Sequence, residues 1–254
     1  MTIGLHRQPR ARSAPVTTSR PSFTIMYHSV EDDAHDPYQV CVSPERFRRH
    51  MRLLSRWGLR GVSMRELVEA HRSGTAAGLV GLTFDDGYRT VVDIAAPILQ
   101  DFGFTATVFV VCEQLGGTNV WDQPGRARPL LDTGDLADLV ERGFEIGSHG
   151  ASHLSLRGRN ESVLDSEVLG SREHLGQITT INGFCYPYGD VDAASMAAVA
   201  AAGYDYACAV KPGALSSRFA LPRRFLGDGD GGLRLRGKRA VHAVRTPQIS
   251  WDRP

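Results

Sequence analysis

The chain lacks the long apolar runs that mark membrane-spanning and secreted proteins. No stretch of its 254 residues approaches the roughly 20 apolar residues that a helix needs to cross a bilayer. Its first 22 residues lack the apolar core of roughly 7–15 residues that a secretory signal requires. The sequence therefore predicts a disordered tail over residues 1–22, a single domain over residues 23–254, no membrane span and a cytoplasmic location by default. Action outside the cytoplasm or at the cell envelope stays open, because a misassigned start or another export route would change that prediction.

Cysteine and net charge are also low. The four cysteines lie far apart and form no C-x-x-C pair. Cys112, Cys185 and Cys208 lie in apolar, strand-like runs, which predicts buried free thiols rather than a disulfide framework. The 29 lysines and arginines nearly cancel the 28 acidic residues, so the formal net charge is +1. That balance gives no reason to expect a nucleic-acid partner or an anionic membrane.

What the chain does have is a regular alternation of short apolar runs with helix-like segments. Most runs are continuously apolar, as expected of strands covered on both faces. The predicted strands are FTIMYH (23–28), LVGLTF (79–84), TATVFVV (105–111), FEIGSH (144–149), INGFCY (181–186) and YDYACAV (204–210). From residue 79 to residue 210 strands and helices alternate, which predicts parallel pairing with crossover helices. Both a closed β/α barrel and an open doubly wound sheet satisfy this order.

Several predicted helices carry recognisable ends. Pro97 is expected to kink or shorten the helix over residues 88–102, because proline has no N–H to donate. The segment after Pro222 is rich in glycine and arginine, and residues 234–244 (RLRGKRAVHAV) are predicted to hold one last strand. The predicted helix starts are Ser43, Ser63, Thr133 (or, in another register, Asp135) and Asp192.

Polar residues follow four of the predicted strands. In parallel β/α folds, functional side chains collect at the carboxyl ends of strands. Two adjacent carboxylates at such a place repel each other unless a cation or a proton neutralises one of them. The residues in question are Asp85 and Asp86 after LVGLTF, His149 at the end of FEIGSH with His153 four residues on, His28 at the end of FTIMYH, and residues 187–189 after INGFCY.

Asp86, His149 and His153 together make a two-histidine, one-carboxylate set. Such a set leaves coordination positions open for water and substrate and suits one catalytic divalent ion, most naturally zinc, with cobalt or nickel as alternatives. An ion of this kind lowers the pKa of its bound water toward roughly 7 and polarises an amide carbonyl. The sequence therefore predicts a metal centre for hydrolysis.

The remaining polar residues supply candidates for proton transfer. Asp85, free of the metal, would accept the proton of the attacking water as general base. The backbone N–H of Tyr188 would help to hold the oxyanion. The acid that protonates the leaving amine is either His28 or His242, and spacing does not decide between them.

Three segments, in this order, resemble motifs of the polysaccharide deacetylases, the NodB-homology group also called carbohydrate esterase family four. They are residues 83–87 (TFDDG), 149–153 (HGASH) and 184–189 (FCYPYG). The likeness extends roughly from residue 23 to residue 210. It implies a distorted (β/α) barrel of about seven parallel strands and hydrolysis of N-acetyl or O-acetyl groups on sugars. Residue by residue it implies Asp85 as base, Asp86, His149 and His153 as metal ligands, and Pro187 and Tyr188 as the groove motif.

Two departures from the family pattern point to one of its branches. Cys185 stands where the family usually has an arginine that orients the base, so Arg223 or Arg224 is expected to take that role. The late leucine-x-histidine motif is not evident. However, residues 26–30 (MYHSV) resemble the opening of the branch that deacetylates poly-N-acetylglucosamine, in which the acid histidine lies on the first strand. That resemblance favours His28 as the acid.

The sequence thus predicts a metal-dependent enzyme that removes N-acetyl groups from poly- or oligosaccharides containing N-acetylglucosamine. Its partner would be the carbohydrate, and Tyr186, Pro187 and Trp121 are the candidates for binding it, although a loop tryptophan also covers the core in many proteins. One alternative is a de-N-acylase of a small or lipid-linked sugar or of another non-peptide amide. A second, from another class, is a carbohydrate-binding barrel that has lost catalysis.

Overall fold

The computed structural model describes residues 17–252. The strands are β1 (Thr18–Ser19), β2 (Thr24–Tyr27), β3 (Ser29–Val30), β4 (Cys41–Val42), β5 (Arg60–Val62), β6 (Leu79–Phe84), β7 (Thr107–Val110), β8 (Glu145–Ser148), β9 (Gly183–Cys185), β10 (Tyr206–Ala209), β11 (Leu221–Pro222), β12 (Arg224–Phe225) and β13 (Ile249–Ser250). The α-helices are α1 (Pro44–Arg56), α2 (Met64–Ser73), α3 (Ala96–Gln100), α4 (Thr133–Glu141), α5 (Glu161–Leu164), α6 (Ser171–Gly176), α7 (Ala193–Ala201) and α8 (Gly232–Arg245).

The main sheet closes on itself. Its strands follow the order β10-β9-β8-β7-β6-β2 and are parallel throughout. β11 pairs with β10, β12 pairs with β2, and only Arg223 separates these two short strands. Residues 221–225 therefore bridge the edges of the sheet and form, within residues 17–252, a distorted barrel of seven parallel segments. This confirms the predicted barrel and excludes the open sheet.

Side chains along each strand alternate between two apolar clusters. In β10, Tyr206 and Cys208 belong to the smaller cluster, whereas Ala207 and Ala209 belong to the larger one. Because successive side chains of a strand point to opposite faces, the smaller cluster fills the barrel and the larger one lies beneath the helices. The interior is tightly packed, since a Cβ atom at Gly183 would lie 2.2 Å from the Tyr206 hydroxyl oxygen.

The six predicted barrel strands are all present, and the helix starts at Ser43, Ser63 and Asp192 are confirmed by their side-chain caps. α4 differs from the prediction, because Asp132 forms the cap and Thr133 is the first helical residue. The expected break before Pro97 takes the form of a π-helical turn, Val91–Ala95, that precedes α3. The sequence does not predict β5, because its three residues, RGV, show no apolar pattern of their own.

α8 occupies the segment for which the sequence predicted a last strand, so that prediction is wrong. Its buried side chains, Leu235 and His242, are seven residues apart. That spacing is two helical turns, whereas a strand would have buried every second residue. Within residues 17–252, no helix combines the length and the apolar character required to cross a membrane.

The two ends of the described chain meet at the amino end of the barrel. β1 pairs with β13 in antiparallel register, with Thr18 opposite Ser250. The predicted disordered tail is therefore wrong for residues 17–22, which are held by a pairing between distant segments that a local pattern does not reveal. The rest of the predicted tail, residues 1–16, lies outside the described residues.

Candidate active site

The carboxyl ends of four barrel strands place the predicted polar residues around one cleft of about 240 Å³. Because β2 pairs with β6 and β8 pairs with β9, the loops that follow these strands lie side by side. The cleft is lined by His28 after β2, Asp85 and Asp86 after β6, His149 and His153 after β8, Tyr188 after β9, and Trp121 from the loop after β7.

Asp86, His149 and His153 converge on one point. The Asp86 Oδ1 atom lies 3.3 Å from His149 Nε2 and 3.2 Å from His153 Nε2, and all three side chains are buried. Donor atoms bound tetrahedrally to one zinc at about 2.0–2.2 Å are themselves roughly 3.3–3.6 Å apart. The separations therefore fit a shared divalent ion.

The protein fixes the orientation of His149 from behind. Its Nδ1 atom donates a hydrogen bond of 2.8 Å to the Cys185 carbonyl, so Nε2 is the nitrogen that faces Asp86. A backbone acceptor of this kind is the usual partner of a metal-binding imidazole. Burial alone raises the pKa of Asp86, but hydrogen bonds from His149 and His153 outweigh it and hold that pKa well below its ordinary value. The pocket therefore favours positive charge beside this carboxylate.

The site stores backbone strain. Asp86, His153 and Tyr188 adopt left-handed φ angles of 71°, 65° and 59°. L-residues other than glycine rarely take this conformation, which costs on the order of 1–3 kcal/mol each and persists only where the surroundings enforce it. Three side chains of the cleft thus owe their direction to a backbone that the fold holds in place.

Glu167 is a supporting residue that sequence analysis missed. Its buried carboxylate accepts hydrogen bonds from the backbone N–H groups of Ala151 and Ser152 at 2.9 and 3.1 Å, and from the Ser152 hydroxyl. These bonds hold the loop between His149 and His153. No local signal marks Glu167, because it lies in a separate helical segment, 15 residues after Ser152, and meets the loop only through the fold.

Asp85 is paired with Arg223. The guanidinium donates through Nη1 to Oδ1 at 2.5 Å and through Nη2 to Oδ2 at 2.7 Å, and both side chains are buried. Of the two arginines that the sequence offered, Arg223 makes this contact. Burial alone raises the pKa of Asp85, but the charge and hydrogen bonds of Arg223 hold it below its ordinary value. Asp85 is therefore an ionised carboxylate in a fixed orientation.

A second donor set, formed by Asp85, His149 and Cys185, suits a metal less well. Arg223 Nη2 lies 2.9 Å from the Cys185 sulfur and already supplies positive charge to this group. Burial raises the pKa of the Cys185 thiol well above its ordinary value, so the thiolate that metals bind is disfavoured.

The two candidate acid histidines lie at opposite ends of the barrel. His28 lines the cleft after the carboxyl end of β2, and its Nδ1 atom is buried without a hydrogen-bond partner among the described residues. His242 lies on α8 near the start of β2, where Nε2 is 3.0 Å from the Pro21 carbonyl oxygen. His242 does not line the cleft, which leaves His28 as the histidine in a position to act.

Of the groove motif after β9, Tyr188 lines the cleft, whereas Tyr186 and Pro187 are buried. Tyr188 is 59% exposed and lines the cleft. Tyr186, which the sequence offered for binding substrate, is fully buried and donates its hydroxyl to the Phe219 carbonyl at 2.9 Å, so its side chain does not line the cleft. Pro187 is also buried and begins the short 3₁₀ turn that carries Tyr188, so it positions the turn rather than lining the cleft.

Trp121 stacks on His153, with ring centroids 4.2 Å apart. Its Nε1 atom has no hydrogen-bond partner among the described residues. The next residue, Asp122, accepts hydrogen bonds from the Tyr88 hydroxyl at 2.8 Å and the Asn119 amide at 2.9 Å, which anchor the loop. Trp121 is therefore a wall of the cleft rather than a cover for the core.

Comparisons with known proteins show which family and fold this chain resembles. Residues 72–207 match the family model described as polysaccharide deacetylase. The Bacillus subtilis protein YxkH, whose full name assigns it to the polysaccharide deacetylases, is 27% identical to this chain over 212 residues. The match covers 80% of this chain and 70% of YxkH. The poly-beta-1,6-N-acetyl-D-glucosamine N-deacetylase of Staphylococcus epidermidis is 24% identical over 65% of this chain and 60% of that enzyme. A solved de-N-acetylase from Aggregatibacter actinomycetemcomitans shares the fold, with a TM-score of 0.72 at 18% identity over 85% of this chain and 99% of that one.

Proposed function

Because the chain belongs to the polysaccharide deacetylase family, we propose that it is a metal-dependent hydrolase that removes N-acetyl groups from glycans containing N-acetylglucosamine. The observation that carries this proposal is the convergence of Asp86, His149 and His153 on one point of the cleft, with Asp85 beside them. The name of the Staphylococcus epidermidis relative supports the choice of substrate.

Asp86, His149 and His153 would hold the metal ion. Their buried carboxylate and two imidazoles, with donor separations of 3.2 and 3.3 Å, suit zinc best, with cobalt or nickel as alternatives. When bound, such an ion activates water and polarises the acetyl carbonyl. The left-handed backbone at Asp86 and His153 keeps the ligands convergent before any ion arrives.

Asp85 would act as the general base. It lines the cleft next to Asp86, and Arg223 keeps it ionised at neutral pH. Each carboxylate oxygen has two lone pairs, so an oxygen that accepts from Arg223 can still accept the proton of the attacking water. Arg223 thus takes the orienting role for which Cys185 is unsuited.

His28 and Tyr188 would complete the reaction. His28 would protonate the sugar nitrogen as the carbon–nitrogen bond breaks, which releases acetate and a free amine. The backbone N–H of Tyr188 would donate to the oxyanion that forms on the acetyl carbon, and the left-handed turn at this residue positions that group.

The test is acetate release from N-acetylglucosamine oligomers of increasing length, with and without a chelator. We expect chelation to abolish the activity and zinc to restore it. Asp85→Asn, which keeps the shape of the side chain, should lower kcat by at least about a hundredfold while elemental analysis still finds one metal per chain. Asp101→Asn, on the outer surface, serves as the matched control. Full activity in the presence of chelator, or in Asp85→Asn, would contradict the proposal.

A further inference from the structure

The formal net charge of +1 hides a strong separation of charge. α1 and α8 pack against each other on the outer wall of the barrel: the Arg236 guanidinium lies 5.4 Å from the centre of the Trp57 ring, and a Cβ atom at Gly232 would lie 3.3 Å from Leu53. These two helices hold ten of the 29 lysines and arginines but one of the 28 acidic residues. The rest of the chain is left with 19 basic and 27 acidic residues.

The charges of this basic face are turned outward. The exposed arginines are Arg49, Arg52 and Arg56 on α1 and Arg234, Arg236, Arg239 and Arg245 on α8. Among the described residues, the ion pairs of the two helices are Arg48 with Asp101, Arg49 with Glu45 and Lys238 with Asp230. Most of the positive charge is therefore available to an anionic partner.

An apolar stripe runs through the same face. Leu233 is 87% exposed, Val244 79% and Val241 40%, and the small residues Gly237 and Ala240 lie between them. The spacing puts all five on one side of α8, away from the buried Leu235 and His242. Arginines flank the stripe. A large apolar side chain that stays almost wholly in water buries little surface, so it adds no more to the stability of the fold than a polar residue would.

We propose that the face formed by α1 and α8 binds the surface of a membrane rich in anionic phospholipid. A basic helix with an exposed apolar stripe lies in the boundary between lipid headgroups and acyl chains, where arginines meet phosphates and apolar side chains leave water. Nucleic acid or an anionic polymer would satisfy the arginines but would leave Leu233 and Val244 exposed. The apolar stripe is therefore the feature that selects lipid.

Binding through this face leaves the cleft accessible. α1 and α8 lie along the outer wall, whereas the cleft opens between the loops at the carboxyl ends of the strands. Neither the arginines nor the apolar stripe contributes to the catalytic centre. The inference therefore does not rest on the proposed activity and can fail without affecting it.

The test is sedimentation of the full chain with vesicles of phosphatidylcholine alone and of phosphatidylcholine with 30% phosphatidylglycerol. We expect binding only to the anionic vesicles, and a steep loss between about 50 and 500 mM salt because surface charge is screened. Leu233→Ser with Val244→Ser, which changes no charge, should weaken binding by roughly fivefold or more. Arg52→Gln with Arg239→Gln should weaken it roughly tenfold.

The matched control is Arg65→Gln with Lys211→Gln, which removes the same charge from exposed positions outside the two helices and should bind almost as the parent does. The proposal is overturned if the control loses as much binding as the helix variant, or if the serine variant binds fully. It is also overturned if the chain binds DNA or heparin but not the anionic vesicles. Unfolding curves by circular dichroism establish that each variant is folded.

Discussion

Residues 17–252 contain two stacked pairs of histidine and tryptophan, one at each end of the barrel. His71 and Trp251 at the amino end have ring centroids 4.0 Å apart, and His153 and Trp121 at the carboxyl end have centroids 4.2 Å apart. In the first pair the polar atoms are satisfied: Ser19 contacts His71 Nδ1, Ser22 N–H donates to Nε2, and Trp251 Nε1 donates to Ser19.

The second pair has the opposite character. His153 Nδ1 and Trp121 Nε1 have no hydrogen-bond partner among the described residues, and His153 has a left-handed backbone. Unmet hydrogen bonds and strain cost stability, so a protein retains them where a ligand or a reaction needs them. The same two residue types thus close the barrel at one end and line the cleft of the proposed active site at the other.

Replacing the histidine of each pair should give the largest effects and should distinguish a role in metal binding from a role in stability. We expect His153→Asn to lose its metal and to lower kcat/KM by at least about a thousandfold, since the ion supplies several kcal/mol to the transition state. Stability should change little, because asparagine tolerates the left-handed φ of 65°. Elemental analysis and thermal unfolding measure the two effects. His71→Asn is the matched control and should give the reverse, a less stable protein with full metal content.

The sequence pattern predicts the residues of the cleft more completely than it predicts the structure at the amino end of the barrel. Asp85, Asp86 and His149 follow long apolar strands, so a local pattern places them at strand ends, and parallel pairing then brings them together. The tie between β1 and β13 joins residues more than 200 positions apart and carries no local pattern. The sequence could only name Arg223 and Arg224 as alternatives, because which of them points into the barrel depends on the break between β11 and β12.

Breaking the ion pair between Arg223 and Asp85 should give the next largest loss of activity. In Arg223→Gln, burial is no longer opposed by the guanidinium, so the pKa of Asp85 should rise and the acid limb of the profile of kcat/KM against pH should move to higher pH. Activity at neutral pH should fall by roughly a hundredfold. Arg223→Lys keeps a charge and should restore part of the shift. Arg224→Gln is the neighbouring control, and an equal shift in that variant would reject the assignment.

The same variant should be destabilised in a way that depends on pH. Breaking a buried ion pair costs about 3–5 kcal/mol when one partner is left charged. In the parent the pKa of Asp85 is lowered, so its stabilising contribution is present above the unfolded pKa and is lost as pH falls. In Arg223→Gln the pKa of Asp85 should be raised, so at acidic pH Asp85 is protonated and the cost of burying an unpaired carboxylate disappears. The difference in unfolding free energy between the two should therefore shrink as pH decreases.

The lowered pKa of His71 predicts that acid destabilises the amino end of the barrel. Burial lowers the pKa of His71 from 6.5 to about 4, so the folded state holds a neutral imidazole that accepts from Ser22 N–H. The contribution is present above the unfolded pKa of 6.5 and is lost as pH falls toward about 4, by roughly 3 kcal/mol at most. Urea unfolding at pH 7 and pH 4.5 should show this loss in the parent and a smaller one in His71→Gln. Equal losses would mean that other groups carry the acid sensitivity.

Trp121 should give the smallest effect and the finest distinction, because its indole both supports His153 and faces the cleft. If its role is to bind a sugar ring, Trp121→Ala should raise KM roughly tenfold while kcat and metal content change little, since stacking and a donor from Nε1 act on ground state and transition state alike. Trp121→Phe keeps the stacking surface and lacks the donor, so an intermediate KM would divide the effect between them. If the indole instead serves only to hold His153, both variants would lower metal affinity and kcat together, and the two stacked pairs would differ less in purpose than in location.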